Sequence, residues 1–311
     1  MAIETIDVEE IIRNINREYK PNSQSFSQQR HLFKSIVEGM YQIDLSDAII
    51  NFCIDNFKEV STSVPPILAD IINRHADRLI GKVRKLEGDK MLRITRPQGL
   101  YNLVNGINGD GVKIEVEGLV GGYFCAYSTD IDIVVKGGVG RFGFDNSYCG
   151  NNHLSRVLVY GNCDEGLGEF NHGINYLVVG KTFTRTFPCA RSGTLIVTDG
   201  IGEYSGMFME DGVIIALSGA DFKNIGSGMK GGAIFMPKDS LCRDTLGEGT
   251  ELIGGLSDKD FKQIQDIFNI HKREGINITE KRGYPALEVL TDNGKITYGS
   301  EGLIKIVSRT L

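Results

Sequence analysis

The chain has 311 residues, 41% hydrophobic and 24% charged, with a net charge of −6. That balance fits a folded chain with a sizeable core and argues against a nucleic-acid surface, since no basic run exceeds Lys82-Val83-Arg84-Lys85. No apolar run approaches the ~18 residues of a membrane span, and Met1-Ala2-Ile3-Glu4-Thr5 carries no signal-peptide core, so a cytoplasmic location with no membrane partner is expected.

Residues 1–88 are predicted to form an α-helical N-terminal region. Val8 to Tyr19 makes a first short helix, and Pro21 to Gln29 reads as a loop or linker. Leu32, Phe33, Ile36, Val37 and Met40 then follow helical spacing. Ser46 can cap a helix whose apolar face is Ile49, Ile50, Cys53, Ile54 and Phe57. After Val64-Pro65-Pro66, Leu68, Ile71, Ile72, His75, Leu79 and Val83 form one stripe, in which His75 reads as packed rather than metal-binding.

Residues 89–240 are organised by a repeat. Short β-prone runs close on Gly118, Gly137, Gly161, Gly180, Gly200 and Gly219, spaced 19, 24, 19, 20 and 19 residues. A second row, Gly173, Gly193, Gly212 and Gly232, precedes the strands. Counting back four residues from each closing glycine gives one column: Ile114, Ile133, Val157, Tyr176, Ile196 and Ile215. Counting back two gives another: Val116, Val135, Val159, Val178, Thr198 and Leu217. Both columns are expected to face the interior, because side chains alternate with period 2 along a strand.

A period of 19–20 residues leaves room for one strand per coil and no crossover helix, which predicts a parallel β-helix of about six to seven coils. Its glycines would serve tight corners. An antiparallel sandwich is the alternative, although its strands come every 8–12 residues. The longer gap between Gly137 and Gly161 predicts an inserted loop of about five residues near Asp145 to His153, a place for ligand or partner contacts.

Residues 241–311 read as a helix-and-strand cap. Leu256-Ser257-Asp258-Lys259-Asp260 begins a capping box, and Phe261, Ile264, Ile267 and Phe268 form the helix's apolar face. Leu303 to Val307 is a final strand. Because a β-helix has open ends, helices on both flanks are the expected covers.

Candidate chemistry is sparse. Gly138-Val139-Gly140-Arg141-Phe142-Gly143 matches G-x-G-x-x-G but lacks the following helix that a dinucleotide site requires. Ser227-Gly228-Met229-Lys230-Gly231-Gly232 resembles a phosphate loop in composition only. The six cysteines contain no C-x-x-C, and the five histidines, His31, His75, His153, His172 and His271, have no metal-ligand spacing. Cys163 with His172 is a weak nucleophile candidate, and Asp164, Glu165 and Glu169 read as a solvated face. No catalytic, cofactor-binding or metal-binding residue is assigned.

The segment Gly200-x-Gly202-Glu203-Tyr204-x-Gly206, with Met209 and Gly212 to Ile215, then Gly219, Gly226, Gly228-Met229 and Gly231-Gly232-Ala233, resembles the GXGXG domain. That domain closes the large subunit of glutamate synthase and also occurs as a separate subunit of formylmethanofuran dehydrogenase. Arg93-x-x-Arg96-x-x-Gly99 upstream, and Leu256 to Phe268 with His271 downstream, resemble the glutamate synthase branch more closely. The resemblance spans about residues 90–311 and implies a right-handed β-helix without catalytic residues. It further implies a non-catalytic docking subunit of a glutamate-synthase-like complex, with FMN and iron–sulfur on glutaminase and FMN-containing synthase partner subunits. Two alternatives are carried forward: a scaffold like the formylmethanofuran dehydrogenase member of the family, in one-carbon metabolism; and a stand-alone enzyme with its site in the loop 145–153. A homo-oligomer is left open among the expected partners.

Overall fold

The computed structural model describes residues 2–7, 10, 90–95, 97, 101–109, 111–150, 155–219, 223–240, 245–253, 255–273, 275–291 and 294–309. The four helices expected between residues 8 and 83, the linker 21–29 and His75 lie outside these residues. So do His153 and the rest of 151–154.

The protein is mainly β. Nine strands stack in parallel: β1 (Ala2–Asp7), β2 (Lys90–Thr95), β3 (Lys113–Glu117), β4 (Asp132–Lys136), β5 (Arg156–Tyr160), β6 (His172–Val179), β7 (Ser192–Val197), β8 (Val213–Ala216) and β9 (Ala233–Pro237). From β2 to β9 the chain winds a parallel β-solenoid of about seven turns. At ~4.8 Å per coil this is a rod roughly 34 Å long. β1 lies in the region expected to be helical, yet it continues the sheet, with Ile3 paired to Met91 and Ile6 to Ile94.

Past β9 come a 3-10 turn (Lys238–Ser240), β10 (Thr250–Ile253), the α-helix α1 (Asp258–Ile270), and a three-stranded meander of β11 (Ile276–Lys281), β12 (Tyr284–Thr291) and β13 (Gly294–Gly299). Last comes β14 (Leu303–Ser308), which returns antiparallel to β9 and then pairs with β10. The final rung of the solenoid is therefore closed by strands. α1 starts at the expected capping box. The Ser257 hydroxyl accepts from the Asp260 backbone N–H, and the Asp260 carboxylate accepts from the Ser257 backbone N–H.

The helix does not cap an end as expected. Its buried residues Ile264, Ile267 and Phe268 pack on Val134, Leu158, Leu177, Ile196, Ile215 and Phe235, the outward side chains at mid-strand. The signal was present in the sequence. Ile133-Val134-Val135, Val157-Leu158-Val159 and Tyr176-Leu177-Val178 are unbroken apolar runs, the pattern of a sheet covered on both faces. On β2 and β3 the same outward positions are Arg93 and Glu115, and there the cover stops.

The register corrects two rungs of the expected interior columns. Tyr176 pairs with Leu195, and Leu195 with Ile214. The interior columns are thus Leu92, Ile114, Ile133, Val157, Tyr176, Leu195, Ile214 and Ile234, beside Ile94, Val116, Val135, Val159, Val178, Val197, Ala216 and Met236. Ile196, Ile215 and Leu217 face the helix instead. An extra residue separates strand from corner glycine in those coils, and a one-residue shift reverses every side chain.

The coils from β3 to β6 share one course: strand, glycine corner, a single bridged residue, a six-residue turn, a second bridged residue, next strand. The bridged residues stack as Val120, Val139, Cys163 and Thr182 on one side, and as Asn108, Thr129, Tyr148 and His172 on the other. Between Tyr148 and Arg156 the chain is five residues longer than the equivalent path from Thr129 to Asp132. The insertion therefore follows Tyr148. Asp145 and Asn146, expected in the loop, belong to the regular turn.

The turns carry a second departure from expectation. In every turn three alternate residues adopt left-handed backbone, for example Tyr123, Cys125 and Tyr127, then Phe142, Phe144 and Asn146. Only six of these 21 positions are glycine. Their amides form a ladder between coils: Tyr123 donates forward to Arg141, and Cys125 back to Leu103, each over less than 3 Å. Glycine is needed chiefly where backbones touch. A Cβ on Gly137 would strike the Gly118 carbonyl, and one on Gly140 would lie 2.6 Å from the Gly121 carbonyl carbon.

These two demands on glycine separate by mutation. Gly140→Ala meets rigid backbone and is expected to cost about 3 kcal/mol. Gly106→Ala has open space around it but a φ of +64°, and is expected to cost about 1 kcal/mol. Urea unfolding of the two variants measures the difference; equal losses would contradict the account.

Candidate functional site

The turn face of the rod is where exposed apolar side chains collect. Because left-handed residues alternate, the middle one of each turn points inward and the outer two point out. Inward, Phe124, Phe144, Tyr176 and Phe187 make a continuous edge-to-face stack with centroids 5.3–5.8 Å apart. The Tyr176 hydroxyl is 3.1 Å from the side-chain carbonyl oxygen of Asn171, and Asn171 in turn donates to the Ile174 and Ser192 carbonyls.

Outward on the same face stand Tyr101, Tyr123, Tyr127, Tyr148, Phe170 and Phe208, with Tyr101 57% and Tyr127 59% exposed. Tyr101, Tyr123 and Phe208 are braced from below. Tyr123 stacks on Phe142 at 5.2 Å. The rings of Tyr101, Phe142 and Phe208 occupy the space where side chains on Gly122, Gly166 and Gly228 would stand. Charged residues are interleaved with them: Arg141 bridges Asp164 and Glu165 at 3.7 and 3.8 Å, and Arg185 reaches Glu165. Such exposed pairs add little stability. They leave a face mixing Tyr, Phe and Arg, the side chains enriched where proteins meet.

Two carboxylates on this face share one turn position on successive coils, Asp145 and Glu169. Burial raises the Asp145 carboxyl above its usual range. Burial raises Glu169 as well, joined by the charges of Asp145 and Glu165 and opposed by Arg185.

The other candidates do not converge. Cys163 lies inside the solenoid, its thiol driven up by burial, while His172 is exposed at the start of β6. Cys125, also buried, is pushed up to about 12. Such thiols are inert as nucleophiles. Gly138 to Gly143 runs through a corner into a turn, and the glycines of 227–232 lie under Phe208 and against the Glu210 and Gly212 carbonyls. Among the described residues no three His, Cys, Asp or Glu side chains group to hold a metal, and no described helix is long and apolar enough to cross a membrane.

Two features carry no local sequence signature. A groove of about 1050 Å³ runs between α1 and the starts of β8 and β9, lined by Asp211, Gly212, Gly232, Lys259, Asp260 and Lys305. Within it Lys305 Nζ lies 2.8 Å from Asp260 Oδ1. Burial alone would raise Asp260, but hydrogen bonds from Lys305 and Ser257 and the Lys305 charge hold it at about 2. The second feature is a cationic cluster at the far end of α1. His271, the C-cap residue, is fully buried with no hydrogen-bond partner for either ring nitrogen. Burial, then the charges of Arg273 and Arg156, push it down to about 3. No family model, curated protein or solved structure matches the chain.

A histidine held neutral by the fold ties stability to pH. The unfolded chain takes up a proton near pH 6.5 that the folded chain refuses until about 3, so stability falls with decreasing pH across that window. The wild type is expected to lose up to about 1.4 kcal/mol per pH unit more than His271→Gln between pH 6 and 4. Denaturant midpoints at several pH values test this; parallel curves for the two proteins would refute it.

Proposed function

We propose that this chain is a docking scaffold, a non-catalytic subunit that holds other proteins in a larger assembly. The observation that carries this reading is the row of exposed aromatic rings on the turn face, of which Tyr101, Tyr123 and Phe208 are braced against the next coil. Rings already immobilised against the coil beneath lose little entropy when a partner covers them, which makes them effective anchors. The rod behind them is tied coil to coil by strand and turn ladders, so surfaces docked at different coils would keep a fixed spacing.

The specific assembly we infer is a glutamate-synthase-like complex. Support comes from the GXGXG resemblance. Its residues Gly202 to Gly206 and Gly226 to Gly228 fall in turns of the solenoid, and its downstream helix begins at the Ser257 cap. In this reading the solenoid is right-handed and the protein cytoplasmic. FMN and iron–sulfur chemistry would reside on a glutaminase and an FMN-containing synthase subunit bound to the aromatic face.

Native purification with mass spectrometry and a flavin absorbance scan tests the reading. A flavin-bearing partner is expected to co-elute with the wild-type chain. The triple variant Tyr127→Ser, Phe170→Ser, Phe208→Ser should lose it, with a thermal midpoint within about 3 °C of wild type, as exposed substitutions allow. A colourless chain that elutes alone or only with itself would overturn the assignment to this complex.

A further inference from the structure

The chain leaving α1 places Arg273 against the first residues of β4 and β5. Three charged side chains meet there. Arg156 Nη2 is 2.7 Å from Asp132 Oδ2, and Arg273 Nη1 is 3.4 Å from Asp132 Oδ1. One carboxylate thus serves two guanidinium groups, leaving an excess of positive charge. Along the same outward face, past Val134 and Leu158, stand Lys136 and Tyr160, and neither supplies a second anion: Lys136 pairs with Glu115. The Tyr160 hydroxyl is raised by burial, against the charges of Arg273 and Lys136.

The donors left over are specific ones. Arg273 uses Nη1 on Asp132, while Nε and Nη2, the side-on edge of its guanidinium, are buried with no acceptor. Arg156 Nε is in the same condition. Buried donors normally find acceptors, and an unmatched buried charge is costly. The Nε and Nη2 edge matches two oxygens of a carboxylate or phosphate. The Arg273 side chain is 14% exposed and Asp132 29% exposed, so the cluster touches solvent.

We propose that Arg273 and Arg156 form a binding site for a small oxyanion. The Arg273 edge grips two of its oxygens, and Arg156 Nε donates to it from β5. Asp132 orients both guanidinium groups. The site is independent of the docking reading, since it lies on the flank beside α1 and uses none of the turn-face rings.

The test is calorimetric titration of the full chain with inorganic phosphate and, separately, with sodium acetate, at ionic strength held constant with sodium chloride. Saturable binding of one equivalent of either anion is expected, with a thermal midpoint that rises with the concentration of the anion that binds. Arg273→Met should weaken binding at least tenfold, whereas Arg282→Met, at an exposed turn, should leave it unchanged. Should Arg273→Met fail to fold, Arg273→Lys retains the charge without the two-pronged edge and should also bind at least tenfold more weakly. Saturation by either anion alone or by both supports the site. No saturable heat from either anion with the wild type overturns it, as does undiminished affinity in a folded Arg273 variant.

Discussion

Everything in this molecule depends on hydrogen bonding between one coil and the next. A coil of 19–20 residues must bring its backbone back over itself at every station, not only at the strands. Six-residue turns achieve this by alternating right- and left-handed backbone, so that alternate amides point up and down the rod. The left-handed state costs a non-glycine residue roughly 1–2 kcal/mol, and 15 such residues accept it here. It persists because the ladder over-determines it. The same alternation sends Phe144 and Phe187 inward, where Phe124 and the strand residue Tyr176 join their stack, and sends Tyr123, Tyr127, Phe170 and Phe208 outward. One backbone device therefore contributes to both the interior ring stack and the exposed rings proposed for docking.

Glycine is placed elsewhere than its conformational freedom alone would suggest. The corner row Gly118, Gly137, Gly161 and Gly180 lies backbone on backbone, with the carbonyl of one where the next would carry its Cβ. In the turns, glycine appears under a ring of the adjacent coil, as Gly166 does under Phe142 and Gly228 under Phe208. Removing a side chain there makes the seat for an aromatic on the surface.

The sheet has two sides with different duties. Its inner side fills the rod. Its outer side is apolar from β4 to β9 and takes the helix and meander, while on β2 and β3 it turns to charge. There Glu115 sits between Arg93 and Lys136 at 3.3 and 3.1 Å. Burial would raise Glu115, but the hydrogen bond and charge of Lys136, with Arg93 and Lys113, keep it low. Glu117 also lies 3.8 Å from both Arg93 and Lys136, so two carboxylates answer those two cations. Around Asp132, a single carboxylate answers both Arg156 and Arg273.

The repeat was legible in the sequence because stacking demands it. Identical positions must recur wherever coils touch, so glycines and branched apolar residues return every 19 or 20 residues. The helix start at Ser257 was legible for a local reason, since a capping box is made within four residues. Which face Ile196 and Ile215 occupy was not, because corner glycines can shift by one residue and only strand pairing sets the register. Nor could the sequence show that α1 lies along the flank, that Asp145 belongs to a regular turn, or that Arg156 meets Arg273. Those contacts join residues up to more than a hundred positions apart. Local patterns record what each segment must do for itself, and the tertiary fold alone decides which segments meet.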